Sequence, residues 1–130
     1  MKQQLLQEKY PVFVLEMKKN ETAYKNTDEI IAYLKGCVDD HKIAVYIADF
    51  DHYAHTTSLE EGEIDPGIIA ARNIVFCFGI KLPKPVMLSV RPRSIGVAEY
   101  DDRFVISFLE APMPLANNAM ESWVKSMVKS

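Results

Sequence analysis

Apolar residues recur along this chain with two periods, and the changes from one to the other mark its elements. From Tyr10 to Met17, Val12, Val14 and Glu16 alternate with Phe13, Leu15 and Met17. That is the period of two of a pleated strand, and Pro11 near its start suits a first or edge position. The polar run from Lys18 to Asn26 ends it. Ile30, Ile31, Leu34 and Val38 then recur three and four residues apart, flanked by Tyr33 and Cys37, which predicts a helix. Asn26 or Thr27 is its cap, Asp28 and Glu29 lie where carboxylates favour the positive end of the helix dipole, and it ends near Asp40 or His41. Ile43 to Phe50 is apolar on both faces as far as Ala48, as for a strand inside the sheet with one side under a helix.

A polar loop from Asp51 to Thr57 leads to the acidic stretch Glu60, Glu61, Glu63 and Asp65. Pro66 behind Asp65 predicts a short helix to about Arg72. Four strands follow, over Asn73 to Ile80, Val86 to Arg91, Ser94 to Tyr100 and Arg103 to Leu109, the last two joined by a two-residue hairpin at Asp101 and Asp102. Pro112 and Pro114 break the chain. Ala116 to about Val128 forms the last helix, with Asn117 as a cap and Met120, Trp123, Val124 and Met127 on one face. Residues 1–9 carry neither cap nor clear period and read as a loosely ordered arm or a helical turn. The order is α+β: one domain over residues 1–130, with a mixed, mostly antiparallel sheet of about five to six strands and helices packed on one face.

Composition narrows the class. With 130 residues, 48% of them apolar and 25% charged, the chain can fill one core but not two. A net charge of −3 argues against nucleic-acid binding, which needs a positive field to displace counterions. The longest apolar run, Ile74 to Ile80, stops at Lys81, far short of a membrane span, and Met1 to Glu8 lacks the apolar centre of a signal peptide. A soluble, cytoplasmic protein is expected. Cys37 and Cys77, too far apart for a redox or zinc motif, fit that setting as reduced thiols.

Two groups of residues could carry chemistry. Asp51, His52 and His55 follow the strand that ends at Phe50. In extended chain Asp49 and Asp51 share a face about 7 Å apart with His52 opposite, so these groups converge only if the chain bends. His52 or His55 could then act as general acid or base beside Asp51, or the two histidines could share a metal, although the spacing matches no specific metal motif and no metal site is expected. The plainer reading makes Asp51 a turn residue and lets the histidines bond backbone groups. Arg91, Arg93 and Ser94 form the second group: with Pro92 between them, both guanidinium groups emerge on one face, as a clamp for a carboxylate or phosphate. Pairing with Asp49, Asp51 or Glu99 is the favoured alternative. The acids from Glu60 to Asp65 are too irregular for a calcium loop, and Cys77 in its apolar strand reads as a small hydrophobe.

The run Phe50, Asp51, His52, Tyr53, Ala54, His55, Thr56, with Asn73 to Gly79 and Arg91 to Gly96, resembles a small bacterial family of uncharacterised proteins. The resemblance spans most of the chain and implies one intact domain, but no activity or cofactor. The residues favour a protein that binds a small anionic molecule or a protein partner, assembling as a homodimer through a sheet edge or its last helix. The alternative is an enzyme in which Arg91 and Arg93 hold an anionic substrate against His52 and His55. Both versions of the anion reading require residues 51–57 and 91–94 to line one cavity.

Overall fold

The computed structural model describes residues 1–129. Its strands are β1 (Lys2–Leu6), β2 (Tyr10–Lys18), β3 (Val45–Asp51), β4 (Ala70–Cys77), β5 (Arg93–Glu99) and β6 (Arg103–Leu109), and its helices are α1 (Thr27–Asp40), α2 (His52–Ser58) and α3 (Pro114–Lys125). Asn26 caps α1 as its place before the apolar stripe predicts, accepting from the Glu29 N–H at 2.9 Å and satisfying a donor that the first turn leaves free. Ile30, Ile31, Leu34 and Val38 form its buried side.

The strands form one antiparallel sheet in the order β1-β2-β6-β5-β4-β3. β2 and β3 therefore run in the same direction, with three strands between them, and α1 crosses the face between them. On that face Phe13 and Met17 from β2, Ile74 and Phe76 from β4, Ile95 and Val97 from β5, and Phe104, Ile106 and Phe108 from β6 meet α1 and the Ala116, Met120, Val124 side of α3. Trp123 lies against the rings of Phe76 and Phe78, with both centroids 5.6 Å away. The α+β plan holds, with the two long helices on one face. The β5–β6 hairpin forms where Asp101 and Asp102 place it, closed by the Tyr100 N–H donating to the Arg103 carbonyl at 2.8 Å.

Several expectations are corrected. Residues 2–6 are a strand rather than a loose arm: β1 is exposed throughout but pairs with β2 from Lys2↔Val14 to Leu6↔Tyr10, so backbone bonds order it where burial does not. The Ile43 to Phe50 segment lies at the edge of the sheet, not inside it, leaving Val45 57% and Ile47 51% exposed with a bulge between Tyr46 and Ala48. Its apolar outer residues mark uncovered surface. The loop expected from Asp51 is α2, because the Asp51 carboxylate accepts from the Ala54 N–H at 2.9 Å and starts a helix. Conversely, Asp65, Pro66 and Gly67 make only a turn, with Asp65 accepting from the Gly67 N–H, and β4 begins at Ala70. Val86 to Arg91 is no strand: Pro85–Val90 is a 3-10 helix, since Pro85 favours a first turn and β4 already has β3 and β5 beside it. Asn117 does not cap α3, which starts at Pro114. Its side chain instead bonds the Ala111 N–H and C=O, both at 2.7 Å.

Candidate functional site

The second face of the sheet is where the register places its unusual residues. Neighbouring strands align Asn73, Gly96 and Ser107 in one row and Ala71, Ala98 and Val105 in the next. A strand position carrying so little bulk makes a floor rather than a packed layer. At the β3 edge the chain turns into α2, which brings His52 and Thr56 over this floor, and residues 63–68 return along the rim with Glu63, Ile64, Asp65 and Ile68. The result is a cleft of about 380 Å³, within the size range of small-molecule sites.

Each polar group of the cleft is positioned by a local cause. The α2 register puts Thr56 one turn after His52, and its hydroxyl lies 3.0 Å from His52 Nδ1, leaving Nε2 as the ring nitrogen for a ligand. Phe50 meets His52 edge-on, with the ring centroids 5.6 Å apart. Asp65 is fixed twice, by the Gly67 N–H at 2.9 Å and by the Tyr100 hydroxyl at 3.2 Å. A side chain at position 96 would begin 3.3 Å from Asn73 Nδ2, so Gly96 is what gives the Asn73 amide its place on the floor. Arg72 lines the cleft with its backbone side, while its guanidinium pairs with Asp28 at 2.8 Å and with Asp49. The bond to Asp49 and the nearby carboxylates raise its pKa above the ordinary value.

Of the residues singled out by sequence, only His52 reaches this cleft. Asp51 is spent on the α2 cap, and His55 lies on the outer side with its ring 5.5 Å from Phe50. Among the described residues no three His, Cys, Asp or Glu side chains are grouped as a metal site. Arg91, Arg93 and Ser94 lie at the other end of the sheet: Arg93 is opposite Phe76 on β4, whereas Asp51 is opposite Arg72, four residues or about 13 Å away along the strand. His52 lines one cavity and Arg91 and Arg93 another, so the arrangement in which both groups hold one anionic ligand is not present. The favoured pairing of the arginines with Asp49, Asp51 or Glu99 is absent too, because Asp49 is taken by Arg72 and Glu99 by Lys19 and Thr27. Arg93 instead donates from Nη1 to the Val90 carbonyl at 3.0 Å and from Nη2 to the Leu109 carbonyl. Ser94 is exposed on the opposite face.

Sequence reasoning missed Thr56, Glu63, Asp65, Asn73, Gly96, Ala98 and Ser107. Only Thr56 had a local signal, its four-residue spacing from His52. The others converge from three strands and a loop through register. No described helix is long and apolar enough to cross a membrane. One protein-family model, described as a family of unknown function (DUF6858), matches residues 1–129. No curated protein and no solved structure matches the chain.

Proposed function

We propose that this chain, which belongs to the DUF6858 family, is a ligand-binding protein whose ligand lies in the cleft between α2 and the open face of the sheet. The observation that carries this is the floor of Ala71, Asn73, Gly96, Ala98 and Ser107 beneath an overhang holding His52 and Thr56. Mostly apolar walls with a few fixed polar groups are the usual make-up of small-molecule sites. Glu63 and Asp65 bring negative charge to the rim, while the Arg72 guanidinium is committed to Asp28 and Asp49. The ligand is therefore a neutral or cationic molecule with a flat apolar body that rests on the floor and hydrogen-bonds His52 Nε2, Asn73 or Ser107. Binding stands ahead of catalysis because Asp51, the acid nearest His52 in sequence, is turned to the helix cap.

A thermal-shift screen of neutral, cationic and anionic small aromatics tests it. Neutral or cationic compounds should stabilise the wild type, by about 2.7 kcal/mol at a hundredfold excess over Kd. Gly96→Leu, which points into the cleft and away from the core, should fold and bind those compounds at least tenfold more weakly. Hits that bind Gly96→Leu unchanged, or a response to anions alone, would remove the cleft as the site.

A homodimer is the second reading, favoured by how charge is divided along the edge strand. The acids Glu60, Glu61, Glu63 and Asp65 lie just beyond the end of β3, whereas the β3 start pairs with the end of β4 at Val45↔Cys77. From that end leaves a segment with Lys81, Lys84 and Arg91, and no acid occurs between Asp65 and Glu99. Antiparallel twofold pairing of two β3 edges would set each acidic loop against its partner's basic segment and cover Val45 and Ile47. Two variants test this together: Glu60→Lys/Glu61→Lys/Glu63→Lys and Lys81→Glu/Lys84→Glu should each be monomeric by light scattering and form a heterodimer when mixed. Monomeric wild type, or a mixture that stays monomeric, would rule the pairing out.

A further inference from the structure

At the end of the sheet away from the cleft, two guanidinium groups share one cavity without an acid. Arg91 and Arg93 line it together with Phe78, Gly79, Met87 and Val90. Arg93 is only 9% exposed, and although two of its nitrogens reach backbone carbonyls, its Nε is buried with no hydrogen-bond partner among the described residues. No ion pair among the described residues involves either arginine. Burial pulls the Arg93 pKa below its ordinary value, the direction expected of a cation taken from water without compensation. Arginine is rarely buried unless paired, and a lone buried charge is strongly destabilising. The local sequence adds to the imbalance, since residues 66–98 contain five Lys and Arg and no acid.

Gly79 is fitted to this arrangement. A Cβ there would stand 3.1 Å from Arg91 Nη1, so the missing side chain lets the Arg91 guanidinium lie against the chain at the cavity mouth. The enclosed space is about 20 Å³, room for little more than one water-sized atom group such as a single carboxylate oxygen and too little for a phosphate ester or nucleotide. The walls are apolar, and beside them in the same segment Val86 is 68% and Leu88 59% exposed.

We infer that Arg91 and Arg93 form an anion site for a small monocarboxylate, whose head group is held at the cavity mouth by Arg91 with one oxygen reaching in toward Arg93, while its apolar tail lies along residues 86–90. A carboxylate matches the planar fork of arginine bidentately, and the apolar wall gives an alkyl or aryl tail somewhere to bury. The site is independent of the cleft, lying at the opposite end of β4 and β5.

Titration calorimetry with acetate, butyrate and octanoate at fixed ionic strength, against chloride and phosphate, tests the assignment. Affinity should rise at least tenfold from acetate to octanoate and exceed that for chloride and phosphate. Arg91→Gln, which removes no bond to the backbone and should fold, is expected to weaken octanoate at least tenfold. Gly79→Ala should weaken it several-fold by displacing Arg91, and Gly96→Leu in the cleft should leave it unchanged. Arg93 is a riskier position to mutate because it ties Val90 to Leu109, so its role is read in the wild type: the Arg93 Nε–H resonance should shift on titration with octanoate. Equal response to chloride and carboxylates, retained affinity in Arg91→Gln, loss of affinity in Gly96→Leu, or an unmoved Arg93 Nε–H signal would each overturn it.

Discussion

Glu99→Ala should cost about 3 kcal/mol of stability, which would be the largest effect of any single charge removed from this chain. Glu99 is 6% exposed at the end of β5. Its Oε1 accepts from the Thr27 N–H at 2.8 Å and the Thr27 hydroxyl at 2.9 Å, and its Oε2 accepts from Lys19 Nζ at 2.7 Å. Thr27 opens α1, so the carboxylate satisfies a first-turn donor and sits at the positive end of the helix dipole. One side chain thus ties the sheet, α1 and the end of β2 together. Truncation strands a helix N–H, a buried hydroxyl and a partly buried ammonium at once.

The same contacts set a pH dependence. Burial alone would push the Glu99 carboxyl up, but the bonds from Lys19 and Thr27 outweigh it and leave the pKa below its ordinary value. A carboxyl whose folded pKa is depressed contributes stability that is fully present above the unfolded value of about 4.3. That contribution is lost as pH falls through the lower folded value. The gap between wild type and Glu99→Gln in urea unfolding should accordingly be constant from pH 6 to pH 8 and shrink on acidification below about pH 4. A gap that is the same at pH 7 and pH 3, or a Glu99→Ala cost below about 1 kcal/mol, would show that this carboxylate does not hold the junction.

Phe76→Ala should be more damaging still, at about 4 kcal/mol. The ring is wholly buried under the helices and meets Phe78 edge-on at 5.6 Å and Trp123 at 5.6 Å. Its removal leaves a cavity that neither backbone can close, since β4 is fixed by strands on both sides. Trp123 is the sole tryptophan, so denaturation followed by its fluorescence reads the loss directly, and the native emission itself should shift to the red. Phe76→Leu, which keeps most of the volume, should cost less than half as much. If the two variants unfold at the same midpoint, bulk is not what Phe76 contributes and the cavity account fails.

The elements legible in the sequence are those whose cause is local. α1 is readable because Asn26, Asp28, Glu29 and the Ile30 to Val38 stripe all agree, and the β5–β6 hairpin because two alternating runs flank Asp101 and Asp102. β1 was not, since Lys2, Gln3 and Gln4 show no alternation and the strand is held by its ladder to β2. For β3 the apolar pattern is legible but its meaning is not: Val45 and Ile47 suggest an interior strand, whereas which strands stand beside it depends on distant residues. The site divides in the same way. His52 could be singled out because histidine is rare and reactive, but Asn73, Gly96, Ala98 and Ser107 are ordinary residues that matter only because three strands align them. The arginine pair was visible, and its expected acids were not its partners, because Asp49 and Glu99 meet other cations first.

The long α1 crossover has a consequence for the order in which the chain can be assembled. β1 and β2 leave the ribosome before the other strands of the sheet, yet β2 meets the rest of the sheet only through β6, from Val12↔Leu109 to Lys18↔Arg103. A nascent chain that has reached Tyr100 can join β3, β4 and β5, but its opening hairpin has no native neighbour, and Phe13 and Met17 face a half-built core. Contacts between residues so far apart in sequence form slowly because loop closure must come first. The hairpin that is made earliest is thus the last to be secured, and synthesis interrupted before Arg103 leaves two fragments of sheet joined by a helix instead of a smaller version of the protein.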